Sequence, residues 1–234
     1  LGLLTGKDFM VNTIVTTELI NKIAKGFGIP CYNVLTGFKN IASIILQKEG
    51  KEKFLAGGEE SFGFLVGDFV RDKDGVSACA LVAEVVAYYK TQGKNVFAVL
   101  AEVYQQFGFY KEALISVTKK GKDGAEQIQQ LMQQYRTNPP QEMNGSAVEM
   151  IYDVKNARIS YPKTQKVEVL NLDKSNVMQF FLADGSKISA RPSGTEPKIK
   201  YYFSVNTNIS NTADYRATEK VLLDKLEALK KYFS

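Results

Sequence analysis

The chain changes its rhythm once, and that change limits what it can fold into. From Asn12 to Phe107 short β-branched runs alternate with helical stretches. NTIVT (Asn12–Thr16) predicts a strand, Thr17 caps the helix ELINKIAKGF, and Gly28 stops it. CYNVL (Cys31–Leu35) is the next strand, followed by a TGFK turn and a helix over Asn40–Glu49. A third strand, Phe54–Ala56, runs into GGEESFG. Asp74 then caps VSACALVAEVVAYYK, which is apolar nearly all round and predicts a buried helix. A helix over Asn95–Phe107 and a strand over Ala113–Thr118 complete the pattern. Alternation of this kind needs crossover connections, which lay helices on a parallel sheet and gather function in loops at the strands' C-terminal ends. TGFK and GGEESFG both lie at such ends.

KKGKDG (Lys119–Gly124) is charged and glycine-rich and predicts a linker. Beyond it the rhythm is different. The helix AEQIQQLMQQYR leads into strands near Ala147–Tyr152, Lys166–Leu170 and Val177–Phe181. An Asp184–Gly185 turn joins the last of these to Lys187–Ala190, and Ile199–Val205 follows. A closing helix, about Ala213–Tyr232, sets Leu222, Leu226 and Leu229 on one face. The expected architecture is an α/β domain over residues 1–121, with a mixed or mostly parallel sheet and flanking helices. A smaller α+β domain with an antiparallel sheet is expected over residues 122–234.

Composition narrows the function. The chain has no His, which excludes His-based metal sites, triads and imidazole acid–base chemistry within it. A net charge of +5 with dispersed basic residues and no aromatic-interleaved basic stripe argues against nucleic acid. No apolar run approaches the ~20 residues of a membrane span. Cys31 and Cys79, in apolar surroundings, are expected to be reduced core residues of a cytoplasmic protein. The chain starts at Leu1 with a short LGLLTG, as a piece of something longer would.

One stretch, RPSGTEPKIK (Arg191–Lys200), concentrates anion-binding chemistry between two strands. Arg191 offers a planar fork for two phosphate oxygens. Ser193 and Thr195 supply hydroxyls, and Gly194 lets backbone N–H groups curl into a nest. Pro192 and Pro197 stiffen the connection. Lys198 and Lys200, two apart on a strand, face one side. By composition alone a polar turn with a solvated Arg fits equally well. In GEES, Glu59 and Ser61 are also two apart, so an extended loop can point both at one ligand such as a sugar while Glu60 points elsewhere; taken alone, GEES fits a helix N-terminus or a solvated acidic turn better.

These segments carry a resemblance. RPSGTEPKIK resembles the phosphate-binding loop in the last domain of the α-D-phosphohexomutases, the phosphoglucomutase/phosphomannomutase family. GGEESFG (Gly57–Gly63) is similar to that family's sugar-binding loop, GDFVRDKDG (Gly67–Gly75) to the segment after it, and TGFK (Thr36–Lys39) to a further active-site turn. The resemblance implies domains three and four of a four-domain enzyme that moves a phosphoryl group between O1 and O6 of a hexose through a phosphoserine. It implies sugar binding by Glu59, Ser61, Thr36 and Lys73, and phosphate binding by Arg191, Ser193, Gly194, Thr195, Lys198 and Lys200. The nucleophile and the Mg²⁺ site are implied to lie in the first two domains, which would be this chain's partners along with the hexose phosphate. No catalytic or metal-binding residue is then expected here, and the chain alone should be inactive. Many members place a His soon after the sugar loop, where Phe69 stands here. In the family a helix usually separates LLTG from the first strand, whereas KDFMVNT follows almost at once near Gly6–Lys7. A stand-alone sugar-phosphate sensor would keep the same loops. A generic nucleotide-binding domain is disfavoured, because no strand ends in GxGxxG.

Overall fold

The computed structural model describes residues 4–119 and 121–233. The chain forms two compact units of equal length. One comprises the chain up to Phe109 together with Asn208–Tyr215, and the other Tyr110–Thr207 and the chain from Arg216 onward.

In the first unit the strands β1 (Asp8–Thr13), β2 (Cys31–Val34), β3 (Lys53–Glu59) and β4 (Gly63–Val66) form a sheet in the order β2-β1-β3-β4. β2 and β3 run parallel to β1, and β4 returns antiparallel to β3. The helices are α1 (Leu19–Gly26), α2 (Phe38–Lys48), α3 (Gly75–Thr91) and α4 (Val96–Phe107). Phe9 and Val11, alternate residues of β1, share a core with Val34, Phe54 and Leu65 and with Phe38, Ile41 and Ile45 of α2. Burying each such side chain contributes about 1.5–3 kcal/mol. The α2 residues recur at the spacing that keeps one helical face on a sheet.

Some expectations change in this unit, beginning with the first strand, expected over Asn12–Thr16 and found over Asp8–Thr13. α3 is not buried: none of its residues is, and Val76 is 82% exposed. β4 is an edge strand, so the helix beside it has neighbours on one side only. Ser77, Ala78, Leu81, Val85 and Tyr89 are half-buried along that side, and the remaining apolar positions face outward. Cys79 is therefore exposed on α3, not in a core. Cys31 is half-buried, and burial, with a smaller effect of Glu18, pushes its thiol up to about 11.

The second unit is an eight-stranded sheet with two long helices. Its strands are β5 (Phe109–Thr118), β6 (Glu142–Met143), β7 (Ser146–Asp153), β8 (Arg158–Tyr161), β9 (Lys166–Val169), β10 (Met178–Leu182), β11 (Lys187–Pro192) and β12 (Lys198–Thr207). The order is β5-β12-β11-β10-β7-β8-β9, with β6 on β7, and the pairs from β12 through to β9 are antiparallel. α5 (Gly121–Thr137) brings Ile128 and Met132 to the core, and α6 (Tyr215–Tyr232) brings Leu222, Leu226 and Leu229. β5, expected to complete the first alternation, joins the second sheet. Beyond Phe109 and Tyr110 its burial alternates residue by residue, as on a strand with one wet face, whereas a parallel-sheet strand is buried on both sides. Gly121–Gly124, expected in a linker, open α5; Lys120 lies outside the described residues. β6 and β8 went unpredicted because such short segments carry no readable apolar alternation.

Sheet alternation sets the two faces around β11. Ile188 and Ala190 stand opposite Phe203 and Tyr201 on the apolar face. Lys187, Ser189 and Arg191 stand opposite Ser204, Tyr202 and Lys200 on the polar face. Gln179 of β10 extends that polar row, donating to the Ser189 hydroxyl at 2.7 Å.

Candidate functional site

Because β1, β2 and β3 are parallel, their C-terminal ends meet at one edge of the first sheet, where α/β folds place ligands. Val34 ends β2, and the chain turns through Thr36 and Gly37 into α2. Gly37 holds φ +107°, a conformation that favours glycine. Its N–H donates to Glu59 Oε2 at 3.1 Å. Lys73, beyond β4, donates to Glu59 Oε1 at 3.3 Å and lies 5.6 Å from the centre of the Phe38 ring. The Glu59 side chain is 8% exposed, against 48% for Lys73. A carboxylate has about four acceptor positions, so these two donors leave room for two more.

Thr36 lies in this turn, and its carbonyl accepts from Asn40 Nδ2 at 2.9 Å. Glu60 points away from Glu59: its Oε2 accepts from the hydroxyl of Thr16 at 3.0 Å and that of Thr13 at 3.4 Å. Those two hydroxyls are themselves 2.7 Å apart. Ser61 stands exposed in the β3–β4 hairpin. A Cβ at Gly63 would come within 2.5 Å of Glu59 Cγ, so the hairpin needs glycine there. Asp74, next to Lys73, caps α3 by accepting from the Val76 N–H at 2.9 Å. Hydrogen bonds from Ser77 and from that N–H hold its carboxyl below the usual range. Thr13, Thr16, Gly37 and Gly63 escaped sequence reasoning. The one available signal was the glycine in each of TGFK and SFG.

In the second unit the connection from β11 to β12 is closed by its own backbone. The Ser193 N–H donates to the Lys198 carbonyl at 2.8 Å. The Ser193 hydroxyl accepts from the N–H groups of Thr195 and Glu196 at 3.4 and 3.3 Å. These amides thus converge on one oxygen within the loop, with Gly194 exposed between them. Arg191 and Lys200 are directly opposite across the ladder and share a face. Among the described residues neither has an acidic partner. Lys198 is different: its ammonium pairs with Glu196 inside the loop. Among the described residues, no group of three or more His, Cys, Asp or Glu side chains could hold a metal ion.

Comparison with known proteins gives one family by sequence and a shared fold by structure. Residues 2–107 match the family model described as phosphoglucomutase/phosphomannomutase, alpha/beta/alpha domain III. The chain is 34% identical over 199 residues to a phosphoglucomutase of Staphylococcus haemolyticus, covering 85% of this chain and 36% of that protein. It is 37% identical over 196 residues to a phosphoglucomutase of Staphylococcus aureus, covering 84% of this chain and 35% of the relative. The chain thus spans about a third of the length of these relatives. The fold is similar to that of parafusin, the exocytosis-sensitive phosphoprotein (phosphoglucomutase) of Paramecium in its open form. The TM-score is 0.60 at 21% identity, over 95% of this chain and 37% of that one. The chain belongs to the α-D-phosphohexomutase (phosphoglucomutase/phosphomannomutase) family, and matches its C-terminal portion.

Proposed function

We propose that this chain supplies the sugar grip and the phosphate clamp of a phosphohexomutase that interconverts hexose 1-phosphate and hexose 6-phosphate. Glu59 and Ser61 accept and donate hydrogen bonds to the sugar hydroxyls, with Thr36 and Lys73 beside them. Arg191, Ser193, Gly194, Thr195, Lys198 and Lys200 hold the phosphate that is not being transferred. Fixing that phosphate lets binding energy far from the reacting atoms orient the other end of the sugar. The serine that carries the phosphoryl group and the Mg²⁺ site belong, in this proposal, to domains outside these 234 residues, and the chain alone turns over no substrate.

The observation that carries the reading is the Arg191–Lys200 pair. Two cations facing each other with no acidic partner among the described residues are costly unless an anion joins them, and they sit at the mouth of a loop whose amides converge on the Ser193 hydroxyl. Titration of the chain with inorganic phosphate, followed by amide NMR, should move Ser193–Thr195 first. Affinity should be about millimolar, equivalent to ~4 kcal/mol. Arg191→Ala should abolish these shifts. Amides that stay still at high phosphate would overturn the clamp.

A further inference from the structure

The hairpin that carries Glu59 and Ser61 holds one residue whose placement makes no sense for folding. Phe62 has φ +59°, the left-handed region, where a bulky side chain is strained. The residue is 103% exposed, as open as in an extended peptide. A residue that is strained and also leaves its apolar surface in water contributes nothing to the fold. Such a conformation lasts only where the surroundings leave no alternative.

Those surroundings are visible. Glu59 pairs with Gly63 across the β3–β4 ladder, so the chain must reverse within Glu60–Phe62. Glu60 is tied to Thr13 and Thr16, which fixes the first residue of the reversal. Glu59 is held by Gly37 and Lys73 on one side of the ladder. Gly63 packs so closely on Glu59 that an added Cβ would meet its Cγ at 2.5 Å. Phe62 is left to absorb the turn. Glycine would do so without strain, yet an aromatic residue stands there.

We propose that Phe62 is a stacking platform for the hexose ring and sets how strongly the loop prefers a sugar phosphate to free phosphate. This rests on the reading of the Glu59 loop as a sugar grip. A pyranose presents hydroxyls around its rim and C–H groups on its faces. Glu59 and Ser61 suit the rim. The electron-rich face of an aromatic ring suits the weakly positive C–H face. Having both on one short hairpin holds the sugar by edge and face together, and the Glu60 anchor keeps that hairpin from yielding as the ring docks.

The test uses this chain with glucose 1-phosphate and, as control, inorganic phosphate, read by the amides of Glu59–Gly63, and thermal denaturation of each variant. Phe62→Gly should melt at or above the wild-type temperature, since strain is released, yet bind glucose 1-phosphate roughly 3- to 10-fold more weakly. Phe62→Tyr should keep wild-type affinity, and phosphate binding should be the same in all three proteins. Phe62→Gly with unchanged affinity for glucose 1-phosphate overturns the platform while leaving the sugar grip standing. A clear fall in melting temperature for Phe62→Gly overturns it too, by making the ring structural. If glucose 1-phosphate moves none of the Glu59–Gly63 amides in the wild type, the sugar grip fails and the platform with it.

Discussion

The hairpin at Glu59 is held by partners 14, 22, 44 and 47 residues away in sequence, whereas the loop at Ser193 is held by amides two and three residues on. In the first, Lys73 and the β2–α2 turn answer the Glu59 carboxylate, and hydroxyls at and just after the end of β1 hold Glu60. In the second, Arg191 and Lys200 lack an acidic neighbour among the described residues and rely on a ladder pair for their position. One site is assembled by a sheet, with its Glu59 charge answered by Lys73. The other is local and open to an anion. The contrast predicts that damage to the first sheet spreads to its site, while the phosphate loop tolerates distant change.

The largest expected effect tests that contrast. Leu65 is fully buried in the first core, so Leu65→Ala should destabilise that unit by about 2–5 kcal/mol. Amide exchange at Glu59–Gly63 should accelerate while phosphate still shifts Ser193–Thr195. Loss of both responses together would show that the two sites are not independent.

A smaller effect addresses the sugar grip. In the mutase proposed above, Glu59→Ala should lower transition-state stabilisation by roughly 1–3 kcal/mol, the range for a lost buried hydrogen-bond partner. The comparison is sharpened by the phosphate-loop amides, which should respond as in the wild type. Unchanged kcat/KM would remove Glu59 from the substrate.

The smallest is a pH effect confined to the second unit. Burial raises the Asp184 carboxyl, but hydrogen bonds from Lys225 and Ser186 outweigh it, so the group sits below its ordinary value. A depressed folded-state pKa contributes stability above the ordinary carboxylate range and loses it as pH falls through the folded value. Acid should therefore weaken the Asp184–Lys225 tie, a partly exposed pair worth about 1 kcal/mol or less. Lys225→Met should flatten the acid limb of stability, measured by denaturant unfolding from neutral to acid pH. An unchanged limb would assign the acid sensitivity elsewhere.

What the sequence determined by itself was whatever rests on a few consecutive residues. The cap at Asp74 forms as predicted, accepting an N–H of the first turn, and Asn95, expected as the first residue of a helix, caps it in the same way. Asp184–Gly185 makes its turn, with Gly185 at φ +81°, and Leu222, Leu226 and Leu229 bury one face of α6. RPSGTEP folds as a closed connection between strands, because its hydrogen bonds span only a few residues. Only the tertiary structure decided the rest. Nothing in VSACALVAEVVAYYK says that it will lie beside an edge strand with one side covered, and nothing in β5 names the sheet it joins. Nothing in GEES says that Gly37 and Lys73 will close on Glu59, and nothing in SFG says that Phe62 will stand in water. Burial and long-range pairing depend on which surfaces the fold brings together, and that is a property of the assembled sheet rather than of any run of residues within it.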